Sequence, residues 1–150
     1  MLRFICFGSG SSGNCYFLFT ETDGLLIDVG VGLRRLKKHF DEYGLKMSSI
    51  KHILITHDHA DHVRSVGSLS MKYQLPVYAT KKVHEGIREN FCVKKKIDPS
   101  LVRVIEKGSS LKVGEFTVTS FDVPHDSKDN VGYKIEYAGN TRCSTRREGR

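Results

Sequence analysis

The stretch ILITHDHADHV, residues 53–63, decides how this 150-residue chain is interpreted. An apolar run leads into three histidines and two aspartates, which fall within the six positions 57–62. The apolar residues at 52–56 predict a buried strand, and a helix-like pattern follows the polar cluster. The cluster therefore lies at the carboxyl end of a strand, where proteins that mix strands and helices commonly bind ligands.

The residue types in this cluster favour a divalent metal ion. His57 and His59 are two positions apart, so in an extended segment they project to the same side. Asp61 and His62 follow as the helix starts, and they could face a second ion. Imidazole nitrogens and carboxylate oxygens suit zinc, and also manganese or iron. The alternative is a solvated loop that caps the helix through Asp61, for which so dense a cluster would be unusual.

The surrounding pattern predicts an α/β sandwich. Three short apolar stretches near the start predict a β-meander, and the later strand–helix–strand order predicts a parallel part of the sheet. Nothing after Tyr137 has apolar periodicity, so no further strand is expected there. The predicted strands are 2–7, 14–20, 25–30, 52–56, 77–80, 115–123 and 131–137, and the predicted helices lie within 32–44, 62–75 and 81–90.

Four segments together resemble a known family. THDHADH is similar to the HxHxDH signature of the metallo-β-lactamase-fold hydrolases, and VPHDSKDNVGY resembles a later segment that contributes one histidine. LLIDVG resembles an early strand that ends in an aspartate, here Asp28, which would orient the metal ligands. FGSGSSGNCYFL resembles the opening strand pair of the WalJ/YycJ-like branch. The resemblance implies the N-terminal portion of a four-layer αββα sandwich.

The resemblance also implies roles for individual residues. His57, His59 and His125 would hold one metal ion, and Asp61 and His62 would hold the other and act in catalysis. Zn²⁺ is the expected metal, with Mn²⁺ or Fe²⁺ as alternatives. Because the branch is associated with nuclease action, we expect a phosphodiesterase or nuclease that acts on DNA through metal-activated water. The alternatives are a thioester or lactone hydrolase of the same fold and an inactive metal-binding remnant.

Two ligands of the full family pattern are missing from the sequence. The family has an aspartate that bridges the two ions and a late histidine, whereas no Asp or His follows Asp129 here. The expectation is an incomplete metallo-β-lactamase-like domain over residues 1–139 and an atypical basic tail over 140–150. A frameshifted end and a naturally divergent short form both fit this tail.

Composition adds weaker indications about partners and location. The net charge is +7, of which the last eleven residues carry +3 through four Arg and one Glu. This balance is compatible with a polyanionic partner such as DNA. No apolar run approaches a membrane span, and the apolar start at 1–7 is too short for a signal peptide, so a cytoplasmic protein is expected. The four cysteines form no CxxC pair and are expected to be idle thiols.

Two further segments have open interpretations. The backbone of GSGSSG at 8–13 could hold a phosphate, although a flexible turn is the simpler interpretation. The lysines at 94–96 could contact a phosphate backbone or belong to a solvated loop. His39, His52 and His84 have no partners nearby in the sequence and are not expected to be ligands.

Overall fold

Two β-sheets form the frame of the molecule. In the computed structural model, the described residues are 1–122, 131–137 and 142–146. The first sheet contains β1 (Arg3–Gly8), β2 (Cys15–Phe19), β3 (Gly24–Ile27), β4 (His52–Leu54), β5 (Val77–Ala79) and β6 (Val102–Val104), in that order. The second sheet contains β7 (Ser110–Val113), β8 (Phe116–Asp122), β9 (Val131–Tyr137) and β10 (Arg142–Arg146), again as neighbours in sequence order.

The first sheet combines two kinds of strand pairing. Strands β1, β2 and β3 pair antiparallel, as the predicted meander requires. Strands β3 to β6 pair parallel, and the connections between them carry the helices. The carboxyl ends of β3 and β4 therefore lie side by side at one edge, which places Asp28 next to the histidine-rich segment.

Helices cover one face of the first sheet, and the second sheet covers the other. The helices are α1 (Leu33–Glu42), α2 (Ala60–Val63), α3 (Val66–Tyr73) and α4 (Lys81–Glu89). One buried cluster joins this layer to the sheet through residues such as Phe17, Phe40 and Ile53. A second cluster joins the two sheets through residues such as Leu25, Phe116 and Tyr133. The described part of the chain therefore confirms the predicted α/β sandwich.

The single helix predicted over 62–75 is in fact two helices, α2 and α3. The amide of Ser65 donates to the carbonyl of Val29 at 3.0 Å, so it does not continue the helix. The carbonyl of Asp61, four residues earlier, accepts instead from the amide of Asn14 at 2.7 Å. Hydrogen bonds to backbone groups that are distant in the sequence therefore interrupt the helix between Val63 and Val66.

Three short strands were not predicted from the sequence. β6 and β7 contain three and four residues, too few to show a clear alternation of apolar and polar side chains. β10 contradicts the expectation that no strand follows Tyr137, because Arg142 pairs with Glu136 and Arg146 with Gly132. Main-chain pairing on the open edge of β9 accounts for this strand without any apolar pattern, since edge strands tolerate polar residues.

Lys96 has a structural contact in this fold. Its Nζ donates to the carbonyls of Asn90 at 2.7 Å and Ile87 at 3.2 Å, at the C-terminal end of α4. An ammonium group there satisfies terminal carbonyls and interacts favourably with the helix dipole. Lys96 is therefore a capping residue for α4, which favours the structural interpretation of this lysine over a phosphate contact.

Replacing Lys96 by methionine should lower the free energy of unfolding by about 0.5–1 kcal/mol, because the capping interaction is lost while the aliphatic stem remains. Urea unfolding measures this change. Lys94→Met is the matched control, since Lys94 is exposed, and its effect should stay within about 0.5 kcal/mol. Equal effects of the two substitutions would contradict the capping role.

Candidate metal centre

The histidine-rich segment follows β4 and leads directly into α2. Ile55, Thr56 and His57 are buried as the chain leaves the sheet. The amide of Asp28 donates to the carbonyl of Leu54 at 2.8 Å, which fixes the end of β3 against the end of β4. We call residues 57–62 the metal loop. His59 is the N-cap residue of α2 and its side chain makes no capping hydrogen bond, so Asp61 is not the helix cap.

Asp28 is the buried anchor of the metal loop. Its backbone has φ 64°, in the left-handed region that non-glycine residues rarely adopt and that is common at functional sites. Oδ1 accepts from the amide of Thr56 at 2.8 Å, and Oδ2 accepts from the hydroxyl of Thr56 at 2.7 Å. Oδ2 also lies 2.7 Å from Nδ1 of His62. This carboxylate therefore orients the metal loop, in the role that the family resemblance implied for it.

Thr56 extends the influence of Asp28 to His57. The Thr56 hydroxyl lies 2.7 Å from Nδ1 of His57, and because its own proton goes to Asp28 it accepts the imidazole N–H. Nδ1 of His62 donates to Asp28 in the same way. In both rings the proton is thereby assigned to Nδ1, and Nε2 is the nitrogen through which each ring would bind a metal.

Two side chains of the loop, those of His57 and His62, converge with Asp28. One ligand atom from each of Asp28, His57 and His62 lies within 4.8 Å of the others. The rings of His57 and His62 are 4.4 Å apart between centroids, and those of His57 and His59 are 6.0 Å apart. Asp61 Oδ2 lies 3.9 Å from Nε2 of His62. Imidazole nitrogens and carboxylate oxygens placed in this way are a donor set that suits a divalent ion such as Zn²⁺.

His59 and Asp58 differ from their neighbours in exposure and contacts. The side chain of His59 is 56% exposed, whereas His57 is 6% exposed. Asp58 packs against α4, where a Cβ on Gly86 would come within 1.8 Å of its Oδ2. The backbone carbonyl of Asp58 accepts from the side chain of Asn90 at 2.8 Å. Asp58 therefore attaches the loop to α4, and its Oδ1 lies 3.9 Å from Nε2 of His59.

Of the five predicted metal ligands, His57 and His62 lie in this converging group. Asp61 lies beside His62, and His59 is mostly exposed, with its ring 6.0 Å from that of His57. His125, the fifth, lies outside the described residues. Sequence reasoning assigned no role to Thr56 or Asn14, which both contact the loop. Thr56 directly precedes the histidine motif, so a contact with the loop could have been predicted from its position. Asn14 is 47 residues from its partner Asp61, so its contact could not.

Electrostatic effects of Asp28 reach two other buried groups. Burial raises the pKa of Cys15, and the nearby Asp28 charge raises it further. The pKa of the Tyr133 hydroxyl is also raised, first by burial and then by Asp28. Both groups therefore stay neutral at ordinary pH, and Cys15 is an unreactive buried thiol, as expected for the cysteines of this chain.

Gly30 allows the metal loop to lie against the strand ends. A Cβ at this position would fall 1.8 Å from the carbonyl oxygen of Asp61 and 2.8 Å from the amide nitrogen of Asn14. Both contacts are with backbone atoms, so the loop itself would have to move. A glycine is required here by the close approach of two main chains.

Gly30→Ala should lower the free energy of unfolding by about 1–3 kcal/mol or more, as overpacking of backbone contacts typically does. Thermal or urea unfolding measures the change. Gly10→Ala is the control, because a Cβ on Gly10 meets nothing within 4 Å. If Gly30→Ala is as stable as Gly10→Ala, the close packing of Asp61 on Gly30 is refuted.

Among the residues that the structure describes, no helix is long and apolar enough to cross a membrane.

Comparisons with known proteins indicate the family to which this chain belongs. A family model described as "Beta-lactamase superfamily domain" matches residues 24–144. The exodeoxyribonuclease WalJ of Streptococcus pneumoniae serotype 2 (strain D39 / NCTC 7466) is 34% identical over 125 residues, covering 83% of this chain and 46% of that protein. The exodeoxyribonuclease YycJ of Bacillus anthracis is 32% identical over 132 residues, covering 88% of this chain and 49% of that protein. This chain therefore spans about half the length of these two relatives.

The fold itself is matched among solved structures. BJP-1, a subclass B3 metallo-β-lactamase of Bradyrhizobium japonicum, superposes with a TM-score of 0.71 at 18% identity, covering 96% of this chain and 58% of that one. The matched family model includes β3, the whole metal loop and the second sheet as far as residue 144. The chain is therefore a member of the beta-lactamase superfamily with the metallo-β-lactamase fold.

Proposed function

We propose that this chain is a metal-dependent hydrolase, specifically a phosphodiesterase that acts on DNA. The observation that supports this most strongly is the hydrogen-bonded array in which Asp28 holds His62 directly and His57 through Thr56. Such an array prepares two imidazoles to donate Nε2 lone pairs to a metal ion. Two relatives that share about a third of their aligned residues with this chain are named exodeoxyribonucleases.

The residues proposed to hold metal are those of the loop together with His125. His57, His59 and His125 would hold one ion, and Asp61 and His62 would hold a second. Zn²⁺ is the proposed metal, with Mn²⁺ or Fe²⁺ as alternatives. A bound divalent ion would supply a Lewis acid for the phosphoryl oxygens and would lower the pKa of a water molecule.

The residues of the chain have their own tasks in this mechanism. Asp28 is buried and keeps the protons of His57 and His62 on Nδ1, so that neither ring must reorganise when substrate arrives. The side chain of Asp61 is 32% exposed and can be reached from solvent. We propose that Asp61 and His62 orient the attacking water, with the Asp61 carboxylate accepting one of its protons.

The charge of the chain favours a polyanionic substrate. It contains 24 Lys and Arg against 17 Asp and Glu. Contacts between such side chains and phosphates release counterions, so binding to DNA should weaken as salt concentration rises. We also propose a cytoplasmic location, where DNA is available. The proposed domain organisation is a metallo-β-lactamase-like unit over residues 1–139 and a basic tail over 140–150.

The test is hydrolysis by the chain purified without chelator. End-labelled linear duplex and single-stranded DNA are incubated with Zn²⁺ or Mn²⁺, and parallel reactions contain a chromogenic thioester and a lactone. We expect chelator-sensitive loss of DNA with little turnover of the small substrates. Turnover of a thioester or lactone alone would indicate the small-substrate hydrolase instead. Metal binding without any turnover would indicate a metal-binding remnant, and Asp61→Ala controls for a contaminating nuclease.

A further inference from the structure

Asn14 joins the Gly-rich loop between β1 and β2 to the metal loop. Its side chain is mostly buried, and Nδ2 lies 3.0 Å from the carbonyl of Asp61 and 3.1 Å from Asp61 Oδ2. The same nitrogen lies 3.4 Å from Nε2 of His62. Its amide group is thus next to two side chains that are proposed to hold a metal ion.

The position of Asn14 is fixed from several directions. Its Oδ1 accepts from the amide of Gly10 at 3.1 Å, and Nδ2 lies 3.0 Å from the carbonyl of Gly10. Its backbone amide donates to the carbonyl of Asp61 at 2.7 Å, and its backbone carbonyl accepts from the amide of Gly30 at 2.9 Å. The side chain therefore has little freedom to move away from Asp61.

We propose that Asn14 is a positioning residue that holds the Asp61 carboxylate in the orientation needed to bind metal. An aspartate side chain that is 32% exposed would otherwise rotate between several orientations. The hydrogen bond to Oδ2 holds this oxygen beside the ring of His62, 3.9 Å from its Nε2. This inference rests on the metal centre of the proposed function, and it extends that centre to a residue in the first loop of the chain.

Metal affinity measures this role without reference to DNA cleavage. Zn²⁺ binding is followed by competition with a chromophoric chelator, and Co²⁺ binding by its visible absorption spectrum. Partners that orient a ligand typically change metal affinity by about 10–100-fold, so Asn14→Ala should weaken binding at the Asp61 site by that factor. Asn14→Ser also removes the amide nitrogen but keeps a small polar side chain. This variant replaces Asn14→Ala in the measurement if Asn14→Ala does not fold.

A double-mutant cycle separates positioning from general destabilisation. In an Asp61→Ala background, Asn14→Ala should have no further effect on metal affinity, because the carboxylate on which it acts is gone. Ser70→Ala is the stability control, since it removes a buried hydrogen bond in α3, from Oγ to the carbonyl of Leu75 at 2.7 Å. It should lower stability and leave the metal affinity and the Co²⁺ spectrum unchanged.

The possible outcomes are distinct. Weaker metal binding by Asn14→Ala that disappears in the Asp61→Ala background supports the proposal. Binding within twofold of wild type, or an equal loss in both backgrounds, overturns the role of Asn14 while leaving the metal centre and the nuclease proposal intact. If Asn14→Ala weakens metal binding as expected but the wild-type chain cleaves no DNA, only the proposed function is overturned. A wild-type chain that takes up no metal overturns both.

Discussion

Replacing His57 by alanine is expected to lower the rate of metal-dependent DNA cleavage by about 10³-fold or more. Metal ions typically contribute several kcal/mol of transition-state stabilisation, and each 1.36 kcal/mol corresponds to about a factor of ten in rate. His57 is the most buried imidazole of the metal loop, at 6% exposure, and its Nδ1 is held by Thr56.

The measurement is the cleavage rate at saturating metal, together with metal content for each variant. His39→Ala is the matched control, because it removes a histidine from α1 that contacts Glu42 and stacks on Phe7. That variant should retain the activity and metal content of the wild-type chain. A His57→Ala variant that cleaves DNA at the wild-type rate would show that the cleavage does not depend on this metal loop.

Replacing Asp28 by alanine is expected to affect both stability and metal binding. The amide of Thr56 would lose its partner in a buried position, which costs about 1–3 kcal/mol. Alanine would also have to adopt the left-handed conformation at φ 64°, which adds roughly 1–2 kcal/mol. We therefore expect the free energy of unfolding to fall by about 2–5 kcal/mol. Metal affinity should fall by about 10–100-fold, since two imidazoles lose their orienting partner.

Asp28→Asn separates these two effects. Asparagine tolerates the left-handed region and keeps an acceptor for the amide of Thr56, so stability should fall much less than in Asp28→Ala. The negative charge that supports the imidazoles is nevertheless lost, so metal affinity should still fall. Chelator competition and urea unfolding measure the two quantities. Unchanged metal affinity in both variants would contradict the orienting role of Asp28.

The sequence was most informative where the chemistry is local. His57, His59, Asp61 and His62 are close in the chain, and the strand before them is apolar, so their location at the end of a strand could be predicted. The role of Asp28 came from the family resemblance, and the contact with His62 at 2.7 Å agrees with it. Residues 24–144 match a family model, which supports the family assignment independently.

The parts that could not be predicted depend on contacts between distant residues. The break between α2 and α3 follows from the bonds of Ser65 to Val29 and of Asn14 to Asp61, which no helical periodicity can show. Asn14 was predicted only as the first residue of a strand, and its contact with the metal loop arises when the chain folds. β10 forms through main-chain pairing with β9, and such pairing leaves no mark on the pattern of side chains.

Metal content per chain tests the central claim most directly. Elemental analysis of wild-type protein and His57→Ala, both purified without chelator, compares the metal loop with and without its most buried imidazole. We predict at least one equivalent of zinc, manganese or iron in the wild-type chain. We predict clearly less metal in His57→Ala. Wild-type protein without metal, or equal metal content in the two proteins, would contradict the assignment of residues 57–62 as a metal centre.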